Sequence, residues 1–174
     1  CYPIGNSHLD LAWLWTKNET KRKVARTIGN QIHLIEEYDD YKYIHSQPWT
    51  LEILKNYYPS LFSEVKEWVK KGRIIVEGGT WVEPDTNLPS GESLIRQMII
   101  GKRFIKEEFN EDSELLWLPD SFGAPASLPQ IMQGCGLKYF FSAKKIEKSC
   151  LNIFAIILNL IGLRVRFYQM KVLI

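Results

Sequence analysis

Cysteine is scarce in this chain, and what there is forms no pattern. Cys1, Cys135 and Cys150 are its only three, with neither a C-x-x-C pair nor the even number that a disulfide framework requires. That usage points to a reducing compartment with buried or incidental thiols. Charge imbalance is lacking too. Lysine and arginine number 22 against 20 aspartate and glutamate, a net charge of +2. Basic and acidic residues are interspersed, which describes a mixed solvated surface and gives no argument for a nucleic-acid partner. Long apolar runs are missing as well. The uncharged stretch from Cys150 to Leu163 falls short of the ~20 residues a spanning helix needs, so it reads as core-seeking and no membrane partner is expected. There is no internal repeat and no low-complexity segment, and no secretory leader is expected. The chain opens at Cys1 rather than methionine. The unpaired cysteines and the lack of a recognisable signal make the cytoplasm the default expectation.

What is present is an ordinary globular composition, 45% hydrophobic and 24% charged over 174 residues, enough for one domain with a real core. The hydrophobic pattern alternates between two periods. Tyr2-Pro3-Ile4 reads as a short first strand. Glu19 to Tyr38 carries Val24, Ile28, Ile32 and Ile35 at helical spacing, and Lys42 to His45 reads as a second strand. Trp49 to Lys71 is helical, interrupted at Pro59 and stopped by Gly72. Arg73 to Glu77 is a β-branched strand, and Ser90 caps a helix running to Phe109. Leu115 to Leu118, a short helix from Pro125 to Gln133, and Lys138 to Phe141 complete the order. Strand and helix in alternation predict βαβ units, a parallel sheet and helices outside it.

In such sheets, ligands gather at the carboxyl ends of the strands. His8-Leu9-Asp10 follows the first strand. Residues i and i+2 of extended chain face the same way, so the imidazole and the carboxylate can converge on a divalent ion such as zinc. On its own the triplet is weak evidence and reads more readily as a solvated loop pair. Other capable residues follow the other strands: Ser46 and Gln47, then Gly78 to Asp85, then Pro119-Asp120-Ser121-Phe122-Gly123. Asp10 and Asp120 each read alone as a turn former. Taken together on one rim, the two carboxylates and His8 can share an ion.

Several aromatic and imidazole side chains have plainer readings. His33, mid-helix, reads as packed or half-exposed, and Trp49, Trp68 and Trp117 read as core. His45 reads either as a core histidine or as a support for the rim, and Trp81 either as core or as an aromatic of the rim. Gly78-Gly79 lacks the lysine and the spacing of a phosphate loop.

Three long runs together, G-N-S-H-L-D-L-A-W-L-W, V-E-G-G-T-W-V-E-P-D-T-N-L-P-S-G-E-S-L-I-R-Q and L-W-L-P-D-S-F-G-A-P-A-S-L-P-Q-I, resemble glycoside hydrolase family 38, the retaining, zinc-dependent α-mannosidases. The likeness covers residues 2 to about 145. It implies an α/β fold, the N-terminal part of a (β/α)7-type barrel with parallel strands and outer helices, incomplete in this chain. It implies one zinc ion held by His8, Asp10 and Asp120, with Asp120 also the catalytic nucleophile. Trp13 and Phe122 would line the mannose subsite, and Asp85 would contact substrate. The implied activity is retaining hydrolysis of terminal α-D-mannosides in oligosaccharides or N-glycan-derived glycans, and the full-length enzyme would be a candidate homo-oligomer. Two rival readings are a non-catalytic sugar-binding remnant and a metal-dependent deacetylase on a related barrel.

The family's fourth zinc ligand and its general acid lie further downstream than these residues reach. The resemblance stops near Lys145, so residues 1–145 are expected to be the N-terminal part of the catalytic domain. Residues 146–174 are expected to be a divergent tail, truncated or frame-shifted. Lacking a general acid, the isolated chain is expected to lose roughly 10²–10⁴-fold in rate.

Overall fold

The computed structural model describes residues 4–142. Within them lie five short strands and five helices: β1 (Gly5–Asn6), α1 (Lys17–Glu37), β2 (Tyr43–His45), α2 (Pro48–Tyr57), α3 (Pro59–Lys70), β3 (Ile74–Val76), α4 (Gly91–Phe109), β4 (Leu115–Trp117), α5 (Leu128–Gly134) and β5 (Tyr139–Phe141). The predicted alternation is therefore present in the predicted order. The tail from 146 and the Cys150–Leu163 run lie outside the described residues. Among the described residues no helix is long and apolar enough to cross a membrane.

Every pairing is parallel. β1, β2 and β3 form one sheet in that order, and β4 and β5 form a second. A parallel bridge between Gly78 and Leu116 joins the two, with the Trp117 amide donating to the Gly78 carbonyl at 3.2 Å. Below it, the Glu77 carboxylate takes a hydrogen bond from Ser113 Oγ at 2.5 Å. Burial pushes the Glu77 carboxyl upward, opposed by hydrogen bonds from Ser113 and from the amides of Leu115, Gly78 and Glu114. Those bonds keep the seam between the sheets from holding unsatisfied backbone.

Side-chain alternation along each strand divides the interior. Tyr43, Ile74 and Val76 face a core built with Val24, Ile28 and Ile35 of α1, Leu51 and Leu54 of α2, and Val65 of α3. Leu116 and Phe140 face a second core with Leu94 and Met98 of α4 and Leu128 and Met132 of α5. Ile44, Trp117 and Phe141 form a third cluster, against which Ile75 and Leu115 pack. Trp117 and Phe141 stack there, centroids 3.8 Å apart. The helices thus bury their apolar stripes on the strands, at roughly 1.5–3 kcal/mol per fully buried large aliphatic residue.

Local chemistry sets the helix ends. Ser90 Oγ accepts from the Ser93 amide at 3.2 Å, the expected cap of α4, and Asn110 ends that helix in the left-handed region at φ 57°. Pro59 occupies the first turn of α3, where its missing N–H costs nothing, so the predicted interruption divides two helices. The first described strand is Gly5–Asn6, just past the apolar run expected to form it. The Gly5 amide donates to the Lys42 carbonyl at 2.8 Å, and Asn6 Nδ2 donates to the Ile44 carbonyl at 3.0 Å. The carboxyl ends of β1 to β4 lead into the four segments that carry the candidate site.

Candidate active site

His8, two residues beyond β1, is the centre of this rim. Its Nε2 lies 3.5 Å from Asp10 Oδ1 and 3.6 Å from Asp120 Oδ2, while its Nδ1 is hydrogen-bonded to Glu83 Oε2. The His8, Asp10 and Asp120 side chains are 29%, 41% and 37% exposed; that of Glu83 is only 5% exposed. Asp10 and Asp120 are 110 residues apart in sequence, and the carboxyl ends of β1 and β4, on one rim with β2 and β3 between them, bring them to one imidazole. The loop that carries His8 is braced from β2, since Gln47 Nε2 donates to the Leu9 carbonyl at 2.9 Å.

The proton arithmetic at His8 is restrictive. An ionised Glu83 can only accept, so Nδ1 carries the hydrogen. In a neutral ring Nε2 is then an acceptor, aimed at two further acceptors. Such an arrangement calls for positive charge at Nε2, from a proton or a metal cation. Accordingly the His8 imidazole is held above its ordinary range, first by the Glu83 hydrogen bond; burial opposes this, and the charges of Glu83, Asp10 and Asp120 add to it.

These residues border an open cleft of about 180 Å³, walled also by Asp85, Leu118 and Phe122. None of the described residues lining it is lysine or arginine. Among the described residues no group of three or more His, Cys, Asp or Glu side chains is set closely enough, as it stands, to hold a metal ion. The donor types and the two separations from Nε2 nevertheless fit one. Donors ~2.0–2.2 Å from a tetrahedral zinc stand roughly 3.3–3.6 Å apart, the spacing Nε2 has to each carboxylate.

The other predicted residues are placed as follows. Phe122 borders the cleft and is 74% exposed. Asp85 borders it as well, but its Oδ1 accepts from the amides of Asn87 and Leu88 at 2.7 and 3.1 Å, an Asx turn that shapes the loop. Trp13 is 69% exposed and meets Trp15 edge-on at 6.1 Å. Because α1 starts only at Lys17, residues 11–15 bend rather than continue a helix from Asp10, and Trp13 is not among the residues lining the His8 cleft. Trp81 packs edge-on against Phe104 and, with Trp49 and Leu11, borders a neighbouring shallow groove. His45 is buried beneath the rim: its Nε2 contacts Thr50 Oγ1 at 2.6 Å, and its Nδ1 lies 3.3 Å from the Tyr43 hydroxyl. Desolvation pulls the His45 imidazole down to about 4. His33 is a surface residue, 76% exposed, 3.8 Å from Glu37.

Glu83 is the residue that the sequence reading passed over, although it lies in the same run as Asp85. A usable signal was there. An imidazole that serves as a metal ligand needs an acceptor at its other nitrogen, and Glu83 was one of the few rim acids without a role.

Comparison with known proteins identifies the family. The family described as "Glycosyl hydrolases family 38 N-terminal domain" matches residues 1–149. The chain belongs to that family. "Alpha-mannosidase 2C1" of Mus musculus is 45% identical over 143 residues, covering 82% of this chain and 14% of the mouse protein. "Alpha-mannosidase" of Saccharomyces cerevisiae is 40% identical over 144 residues, covering 82% of this chain and 13% of the yeast protein. The chain thus spans about one seventh of these family 38 relatives. Among solved structures, an alpha-mannosidase from Enterococcus faecalis V583 superposes with a TM-score of 0.71 at 26% identity, over 82% of this chain and 16% of the other.

Proposed function

We propose that the cleft at the carboxyl ends of β1 and β4 is part of an α-mannosidase active site. It would hold one zinc ion through His8 Nε2, Asp10 and Asp120 and bind a terminal α-mannoside, in an oligosaccharide or a glycan derived from one. The observation that carries this reading is His8 Nε2 aimed at both Asp10 and Asp120 across 3.5 and 3.6 Å, in a chain of family 38. Zinc there would supply Lewis acidity and a template for vicinal sugar hydroxyls. The short parallel strands with outer helices would be the first part of a barrel of the (β/α)7 type, and the descriptions of family 38 relatives as α-mannosidases support the substrate class.

The chain's own residues have distinct tasks. Asp120, following β4 at the cleft, would attack an anomeric carbon as the nucleophile of a retaining reaction. Phe122, two residues on, offers an apolar wall to the sugar ring, and Trp13 would act from the bend after His8-Leu9-Asp10. Asp85 keeps Oδ2 for a sugar hydroxyl while Oδ1 holds its turn.

A retaining reaction also needs an acid about 5 Å from the nucleophile. Of the other rim carboxylates among the described residues, Asp10 is assigned to the metal, Glu83 is engaged with His8 and Ser46, and Asp85 with backbone amides. For the 174-residue chain as it stands we therefore expect sugar binding with turnover roughly 10²–10⁴ below that of a complete site.

Calorimetric titration of the chain with an aryl α-mannoside, with and without zinc, tests the proposal. Zinc-dependent binding weakened by F122A, and by W13A to a lesser extent, is expected. Binding that ignores zinc, or release of acetate from an acetylated sugar in place of mannoside binding, would contradict it. Tight binding without turnover even when the remainder of a relative's catalytic domain is supplied would leave a sugar-binding module.

A further inference from the structure

Glu83 is a nearly buried carboxylate with both oxygens in use. Oε2 bonds to His8 Nδ1, and Oε1 accepts from Ser46 Oγ at 2.5 Å. Its side chain is 5% exposed and Ser46 is 2% exposed. Burying a carboxylate carries a desolvation penalty unless its lone pairs are satisfied, and here two side chains satisfy them. Ser46 is fixed in turn. Gly78 lies so close to it that an added Cβ would stand 2.2 Å from the Ser46 carbonyl oxygen. Glu83 therefore approaches the imidazole from the side opposite Asp10 and Asp120, carried on a segment that strands β2 and β3 hold in place.

We propose that Glu83, gripped by Ser46, is a positioning residue that locks the His8 ring in its Nδ1–H tautomer. The Nε2 lone pair is thereby pointed at the space shared with Asp10 and Asp120. Glu83 acts through His8, fixing the ring's orientation and raising its strength as a donor. The consequence for metal affinity rests on the reading of His8 as a zinc ligand. The consequence for the ring itself does not.

The test exploits the presence of only three histidines in the chain. Nitrogen-15 NMR of the histidine-labelled 174-residue chain, metal-free and at a pH where His8 is neutral, reads the tautomer of each ring. Wild type is expected to show His8 with hydrogen on Nδ1. E83A should convert it to the Nε2–H form or a mixture, while E83Q, which keeps an acceptor oxygen, should retain it. The His45 signal, unchanged in every variant, reports that β2 remains folded. A zinc titration of the same samples should show E83A weaker by roughly 10–100-fold, E83Q by less, and S46A between E83Q and wild type. An Nε2–H ring in wild type, or an Nδ1–H ring that survives E83A, would overturn the proposal. So would an altered tautomer with unaltered zinc affinity. Failure of wild type to bind zinc would instead remove the metal reading, leaving the tautomer result to decide the role of Glu83.

Discussion

Gly78 and Ser46 meet backbone to side-chain-less backbone: a Cβ at Gly78 would lie 2.2 Å from the Ser46 carbonyl oxygen, at a φ of 132° that L residues rarely adopt. This contact sets β2 against β3 at the point where Ser46 turns to Glu83. It also leaves the Gly78 carbonyl free to accept from Trp117 of β4. The glycine pair that follows the third strand thus serves the seam rather than a phosphate.

G78A should for that reason be costly in two ways. Strain at positive φ and the backbone clash together predict a loss of about 2–5 kcal/mol in stability. Because Ser46 must move, zinc affinity in whatever fraction remains folded should fall as well. Chemical denaturation and a zinc titration on the same sample measure both, and a variant with wild-type values for each would refute the packing argument.

His45 makes stability depend on pH in a definite direction. Its folded imidazole titrates near 4, against an ordinary value near 6.5, because burial disfavours the charged ring. Between those values the unfolded chain binds the extra proton, so stability is fully present above about 6.5 and is lost as pH falls toward 4. The loss from this one group is of order 3 kcal/mol. Urea unfolding from pH 7 to pH 4 should show that slope, and H45N should flatten it. Equal slopes in the two proteins would contradict the assignment.

Asp85 separates turn formation from substrate contact. D85N keeps an oxygen for the Asn87 and Leu88 amides, so its stability should match wild type, while D85A should lose about 1 kcal/mol with the turn. If Oδ2 also holds a sugar hydroxyl, both variants should weaken mannoside binding. Full sugar affinity in D85N would confine Asp85 to its turn.

Much of this was legible beforehand because the relevant signals are local. The helical spacing of Val24, Ile28, Ile32 and Ile35 marks α1, and all four are buried. Ser90 and Pro59 punctuate helices where caps and breaks are read from single residues. The start of β1 was less legible, since a strand at Gly5–Asn6 is set by its neighbours. Tyr41 packs so closely that a Cβ on Gly5 would overlap its phenol, and no β propensity of Gly5 announces that. The setting of Trp13 was not legible for a related reason. The bend at 11–15 is tied by Thr20, whose hydroxyl donates to the Leu11 carbonyl at 2.5 Å and accepts from Trp15 Nε1 at 3.1 Å. Glu83 was hidden most completely, because its partner His8 is 75 residues away and only folding makes them neighbours.

The central claim is that His8, Asp10 and Asp120 form one metal-binding unit across the ends of β1 and β4. Isothermal titration of zinc into the metal-free 174-residue chain, alongside D10N and D120N, tests it most directly. The account predicts one saturable site per chain, weakened in each variant by more than the roughly 10–100-fold expected from an outer-shell change such as E83A. A wild-type chain with no saturable site, or variants that bind zinc as well as wild type, would contradict it.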